Sequence, residues 1–260
     1  MVSVIIPAAG RGTRMKAGIN KSFLELSGKP MLIRSIMKFS DIDEVGEVIV
    51  AVAPDEVAFI RWSLEKIPGI KPTKVVEGGD ERQMSVANAL KVVSSDADVV
   101  LVHDAARPLV TKKIIEDVIE AARANGAAIA AVRAKNTVKK VDDDGTVRET
   151  PDRSELWEVQ TPQGFTRGLI MEAYLHAMQD GFIGTDDAAL VERIGRPVKV
   201  VEGSYSNIKV TSPEDIIIAE ALIRNEAIGK AKEGLTNIME TLASKAQELR
   251  QKIEEDMKTI

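Results

Sequence analysis

No cysteine occurs among the 260 residues, and only two histidines do, His103 and His176. The lack of thiols excludes thiolate catalysis, Cys-ligated zinc, iron–sulfur clusters and a disulfide-built scaffold, leaving a chain long enough to bury a core without staples. Long apolar runs are also missing. The longest, such as VGEVIVAVA (45–53), fall far short of the roughly 20 residues that span a bilayer, and Met1 leads almost directly into a strand-like run. A cytoplasmic protein without membrane contact is expected. A net charge of -5, from 35 Lys and Arg against 40 Asp and Glu, argues against a nucleic-acid footprint. Local clusters of Lys and Arg still suit small polyanions. With 44% hydrophobic and 29% charged residues, 18 Gly and 10 Pro, the composition is that of a folded globular protein.

Short β-branched runs alternate with helical patterns through VSVIIP, MLIRSIMKF, EVIVAVA, VAFIRWSLEKI, KVVE, SVANALKVV, VVLVHD, KIIEDVIEAARAN and AAIAAV. Continuous apolar strands between amphipathic helices predict an α/β fold with a mostly parallel sheet covered on both faces, ligands sitting at the carboxyl ends of the strands. Functional loops are therefore expected after Ile6, Ala53, Glu77 and Val102. After Val132 the rhythm breaks: TVKKV and TVRET flank DDDG, the pattern of a hairpin. Polar along much of its length and without a covering helix, it reads as an arm over about 134–160, stabilised from outside its own domain. Helical patterns return at 166–179, 187–194 and 213–225, the last opened by Thr-Ser-Pro-Glu-Asp.

From Lys230 the composition shifts to Lys, Glu, Gln and Ala. Leu235, Leu242 and Leu249 recur at heptad spacing, as do Met239, Ala246, Ile253 and Ile260. Residues 230–260 are thus expected to form a C-terminal helix beyond a main domain of residues 1–226, either lying on that domain or self-associating.

The sharpest motif is the first strand followed by PAAGRGTRM and then Lys21. Small residues there expose backbone N–H groups that can wrap phosphates, and Arg14 and Lys21 add cationic charge. Gly10, Gly12 and Met15 miss the third glycine of a dinucleotide fingerprint, and the Walker Gly-Lys-Ser/Thr is absent. A tight strand-to-helix turn is the competing reading. In EGGDERQMSVANAL, Ser85 would open a helix, as a cap or as a ligand contact. Asp104 in VLVHDAARP ends a continuous apolar strand, where a carboxylate needs a partner or a metal; Pro108 and Thr111 are better placed to start the next helix. His103 reads as a structural imidazole and His176 as a surface residue. Arg153, Thr161, the Thr185-Asp186 pair and Lys209 are each uninformative alone.

In order, PAAGRGTRM, Lys21, GGDER with Ser85, HDAARP, TPQ, TD and NIKVT resemble the 2-C-methyl-D-erythritol 4-phosphate cytidylyltransferases, over residues 2 to about 225. Departures are Asn20, Ser22 and Asn136. The resemblance implies a Rossmann-like domain that joins CTP to the acceptor phosphate with Mg²⁺ as the divalent cation. It implies nucleotide contacts from Pro7, Ala8, Ala9, Gly10, Gly12, Gly79, Asp80, Ser85 and Ala105. Arg14, Lys21 and Lys209 would act on the phosphates. Asp104 would sit near the metal, with Arg107, Thr137, Arg153, Thr161 and Thr185 around the acceptor. The arm would cross to the partner of a homodimer, carrying Thr137 and Arg153 to the neighbour's site. Ribitol-5-phosphate cytidylyltransferases are similar throughout, and a nicotinamide-dependent dehydrogenase or a non-enzymatic assembly module are more distant readings.

Overall fold

The computed structural model of the protein describes residues 1–10, 21–229, 232, 236 and 239–241, with the side chain of Lys21 left aside. Gly12, Arg14 and the heptad positions other than Met239 lie outside the described residues. By its internal contacts the chain divides into Met1–Ile216 and Ile217–Ile260. In the second unit residues 217–229 are helical, as are the described residues that follow.

The first unit is built on a seven-stranded sheet. Its strands are β1 (Val2–Pro7), β4 (Val45–Val52), β5 (Thr73–Glu77), β6 (Val99–Val102), β7 (Ala127–Arg133), β10 (Trp157–Thr166) and β11 (Lys199–Glu202), in the order β11-β7-β10-β6-β1-β4-β5. Every neighbouring pair is parallel except the two made by β10, which runs against β6 and β7. Two short pairs stand apart, β2 (Glu25–Leu26) with β3 (Lys29–Pro30), and β8 (Lys140–Val141) with β9 (Val147–Glu149).

Alternation along β1 divides the core in two. Val2, Val4 and Ile6 face α1 (Met31–Ser40), α2 (Val57–Leu64) and α4 (Lys112–Asn125), through Ile36, Phe39, Leu64, Ile115 and Val118. Ile5, with Ile49 and Val100, faces α3 (Arg82–Leu90), α5 (Arg167–Gln179) and α6 (Asp187–Arg193), through Val86, Ile170 and Val191. Each fully buried Ile, Leu or Phe stabilises the fold by about 1.5–3 kcal/mol, so two such faces carry most of the driving force. At Gly164 of β10 an added Cβ would come within 2.9 Å of Val118 and 3.0 Å of Leu101, so the close seating of α4 on the sheet requires glycine there. Thr111 caps α4 by accepting from the Ile114 N–H at 3.3 Å, as expected. Asp215 accepts from the N–H groups of Thr211 and Ser212 at 2.7 and 2.9 Å, which fixes the start of the helix at residue 213.

The hairpin forms where expected, but its ladder is short. Lys140 pairs with Glu149 and Val141 with Val147, and residues 135–150 are exposed throughout. Gly145 takes φ +84 at the turn, the left-handed conformation that favours glycine. Three features depart from the sequence reading. Strand β10 was not foreseen, because Pro162 and Gly164 are strand breakers and Gln160, Thr161 and Gln163 are polar. They are buried, and their side chains are satisfied by hydrogen bonds to loops and to the start of α6. Strand β11 was also missed, being short, partly exposed and at the sheet edge. Helix α3 begins at Arg82, so Ser85 lies inside it rather than opening it.

Candidate active site

From β1 the chain crosses to β4 and β5 on one side of it and then to β6 on the other. The carboxyl ends of β1 and β6 therefore diverge into a crevice, the usual ligand position in such sheets. A cleft of about 190 Å³ opens there, lined by Pro7, Ala8, Gly10, Ser22, Gly79, Asp80, Glu81, Arg82, Ser85, Asp104, Ala105, Ala106 and Lys209. The loops after Ile6, Glu77 and Val102 supply most of this wall. The loop after Ala53 does not line it, because Pro54–Glu56 turns directly into α2 on one face of the sheet.

Local contacts shape the glycine loops. The Ala8 N–H donates to the Ala51 carbonyl at 2.7 Å and the Gly78 N–H to the Val52 carbonyl at 2.7 Å, so both loops leave the sheet beside β4. A Cβ on Gly78 would collide with that of Ala9 and stand 2.9 Å from Ser85 Oγ, which makes glycine obligatory where the loops meet. Ser85, almost fully buried, accepts from the Gly79 N–H at 3.1 Å and donates to the Glu81 carbonyl at 3.2 Å. Its hydroxyl fastens the loop to α3. Gly10 and Asp80 remain exposed at the rim.

Asp104 is the electrostatic centre of the cleft. Its side chain is 11% exposed, and it pairs with Lys209 Nζ at 2.7 Å through Oδ2 and with Arg82 Nε at 3.1 Å through Oδ1. Burial alone would raise its pKa; the cations Arg82 and Lys209 reverse this and hold the carboxyl well below the ordinary carboxylate range. Lys209 reaches the cleft from a strap after β11 that crosses the sheet edge. The Gly203 N–H donates to the Ala131 carbonyl and the Val210 N–H to the Ala106 carbonyl, both at 2.8 Å.

Behind Asp104 runs a directional chain of hydrogen bonds. The Asp104 N–H donates to Thr161 Oγ1 at 3.0 Å, Thr161 Oγ1 lies 3.1 Å from His103 Nδ1, and His103 Nε2 lies 3.0 Å from the Arg107 carbonyl. A carbonyl only accepts, so Nε2 carries the proton and Nδ1 accepts from the threonine hydroxyl. Burial pushes the imidazole pKa down to about 4, which keeps it neutral near pH 7. His103 is the structural imidazole anticipated, while His176 lies on the surface.

The remaining candidates divide by position. Thr161 is buried in the chain behind Asp104, and Arg107 turns its guanidinium to the carbonyls of Asn207 (2.8 Å) and Val159 (3.3 Å). Neither lines the cleft. Thr185 borders an adjoining hollow with Asp186 and Asp187, whose wall shares Glu81 and Arg82 with the cleft. Thr137 and Arg153 are exposed on the arm, where Arg153 donates to the Lys135 carbonyl at 2.9 Å, and neither lines the cleft. The sequence reading missed Arg82. Its signal was present as the basic residue opening α3 directly after the glycine loop, but Asp187, its second partner, lies 105 residues away.

A glycine-lined cleft at the sheet's switch point, with a paired Lys and Asp, suits a nucleotide phosphate. The model of the 2-C-methyl-D-erythritol 4-phosphate cytidylyltransferase family matches residues 2–225. The chain belongs to this family. A member from Caldanaerobacter subterraneus subsp. tengcongensis is 49% identical over 224 residues, covering 86% of this chain and 99% of its own. One from Bacillus cereus is 50% identical over 223 residues, covering 86% and 98%. Among solved structures, the 4-diphosphocytidyl-2C-methyl-D-erythritol synthase of Anaerococcus prevotii is similar with a TM-score of 0.76 at 36% identity, over 86% of this chain and 98% of that one. The cytidylyltransferase of Thermus thermophilus gives 0.71 at 36% identity, over 85% and 98%. The family match ends before the heptad-patterned segment. Among the described residues no helix is long and apolar enough to cross a membrane.

Proposed function

We propose that the cleft joins CTP to 2-C-methyl-D-erythritol 4-phosphate, giving 4-diphosphocytidyl-2-C-methyl-D-erythritol and pyrophosphate in isoprenoid precursor synthesis. The observation that carries this reading is Lys209 on Asp104, 2.7 Å apart, facing the glycine loops of a chain in this family. An acceptor phosphate oxygen attacks the α-phosphorus of CTP, a new P–O bond forms, and the bond to the β-phosphate breaks with its electron pair on pyrophosphate. A phosphate monoester with a second pKa of about 6 arrives largely dianionic at neutral pH, so no general base is needed. This agrees with a neutral, buried His103 and the absence of cysteine.

The obstacle is repulsion. Two unit charges about 4 Å apart repel by roughly 4 kcal/mol at an effective dielectric of 20, and both substrates carry several. Lys209, with Arg14 and Lys21 from the first loop, offsets that charge and aligns the attack, while backbone N–H groups of that first glycine loop take the bridging oxygens. Pro7, Ala8, Ala9, Gly10, Gly12 and Ala105 line the phosphates and ribose, and Gly79, Asp80 and Ser85 the base. Mg²⁺ typically binds one or two carboxylates together with substrate phosphates. Each Asp104 oxygen takes one cation and keeps a second lone pair, so this residue fits as the protein ligand. The ion would neutralise phosphate charge during transfer. Among the described residues there is no cluster of three or more metal-ligating side chains.

In this reading Arg107, Thr161 and Thr185 shape the acceptor side, with Arg107 and Thr161 acting through the backbone they hold. The arm crosses to a second copy in a homodimer and brings Thr137 and Arg153 to the partner's cleft. The exposure of residues 135–150 and of Arg153 supports this. The catalytic domain is residues 1–226, the heptad helix 230–260 is an appendage, and the reaction belongs to the cytoplasm. The test is pyrophosphate release from CTP and Mg²⁺ with each acceptor. Release with methylerythritol phosphate is expected; release with ribitol 5-phosphate alone overturns the acceptor assignment, and release with neither overturns the reaction.

A further inference from the structure

Arg82 joins two carboxylates that the sequence holds far apart. Its Nε lies 3.1 Å from Asp104 Oδ1 at the end of β6, and its Nη2 lies 2.8 Å from Asp187 Oδ2 at the start of α6. Both carboxylates are nearly sealed from solvent, with side-chain exposures of 11% and 1%. The second oxygen of each is also engaged, Asp187 Oδ1 by the Tyr174 hydroxyl at 2.6 Å and Asp104 Oδ2 by Lys209 at 2.7 Å. Lys209 and Arg82 thus share one buried anion at the cleft.

A buried carboxylate with a single cation holds it tightly, because separation leaves an uncompensated charge. With two cations, one can leave. We propose that Arg82 is a positioning residue for nucleotidyl transfer: by keeping Asp104 paired, it releases Lys209 to follow the charge that grows on the transferring phosphate. The proposal rests on the cytidylyltransferase reading. The geometry calls for arginine, whose planar fork presents N–H donors in two directions at once, whereas a lysine ammonium concentrates its charge at one point. The neighbouring loop does not depend on this contact alone. Gln83 accepts from the Gly184 N–H and donates to the Phe182 carbonyl, both at 2.9 Å, which ties residues 182–184 to the first turn of α3.

Arg82→Gln alone strands the charge of Asp187 and risks misfolding, so the informative variant is Arg82→Gln with Asp187→Asn, which removes one cation and one anion together. In the full chain with CTP, Mg²⁺ and methylerythritol phosphate, this double variant is expected to melt within about 5 °C of wild type. Its kcat should fall about 30-fold or more, while KM for CTP changes less than about 3-fold, because the glycine loops still hold the ground-state nucleotide. A folded double variant with kcat within about 3-fold of wild type, or with its loss confined to KM, overturns the role. Should the double variant not fold, Arg82→Lys decides: a kcat loss of about 5-fold or more supports the role, and wild-type turnover overturns it. Wild type that releases no pyrophosphate overturns the functional reading and this role with it, whereas active wild type beside an unimpaired variant overturns the Arg82 role alone.

Discussion

Asp104 keeps two cations on a carboxylate that solvent barely reaches, and the chemistry assigned to the cleft follows from that arrangement. Lys209 sits at its open side, 41% exposed and therefore able to reach a phosphate. Lys209→Ala is expected to lower turnover about 10²-fold with the fold intact, equivalent to roughly 2.7 kcal/mol of transition-state stabilisation. Lys21→Ala should do the same, and steady-state kinetics alongside circular dichroism check both. Near-normal kcat in either would remove that lysine from the reaction. His103 carries a different prediction. Its imidazole stays neutral in the folded protein down to pH about 4, against an ordinary 6.5, so the unfolded chain takes up the proton first as pH falls. Stability contributed by the neutral ring is complete above pH 6.5 and is lost as pH falls toward 4, by roughly 3 kcal/mol in total. Urea denaturation at several pH values should show this slope, reduced in His103→Gln; an equal slope in that variant would count against it.

At the scale of elements, the hairpin β8–β9 stands on the ladder between β7 and β10, where Trp157 pairs with Arg133 and the Arg133 guanidinium lies 4.6 Å from the Trp157 ring. Its base is packed and residues 135–150 at its tip are exposed. Arg153→Ala and Lys209→Ala, each strongly impaired alone, should regain activity when mixed if the arm crosses, since one composite site of a heterodimer would then be intact. Subunit exchange confirmed by mass spectrometry with no recovery would argue against a crossing arm. Elements also differ in how plainly the sequence displayed them. The strands β1, β4 and β6 and the helix α4 were legible because unbroken apolar runs and 3.6-residue periodicity come from burial within the element itself. Strand β10 was not, because Gln160 and Gln163 are satisfied only by partners on the 204–207 strap and α6.

Across the whole chain, the family match covers residues 2–225 and leaves the heptad segment outside. Truncation after Asn225 is therefore expected to keep kcat within about 3-fold, a change of less than 1 kcal/mol in the barrier. Light scattering on the same protein reads whether the segment sets the oligomer: two copies before and after truncation assign assembly to residues 1–225, and a fall from two copies to one assigns it to the heptads. Loss of turnover with the number of copies retained would make the segment part of the catalytic unit.

The sequence by itself determined the α/β architecture and the glycine loops, because strand periodicity and loop chemistry are written within a few residues of each other, whereas Asp104 and Lys209 were singled out together only by the resemblance of the ordered motifs to the family. Only the tertiary structure brought Lys209 onto Asp104, turned Arg107 toward backbone carbonyls and set Arg82 between Asp104 and Asp187. Those pairings join segments up to 105 residues apart. They depend on the order in which strands settle beside one another and on which charges burial forces together, and no local pattern encodes either.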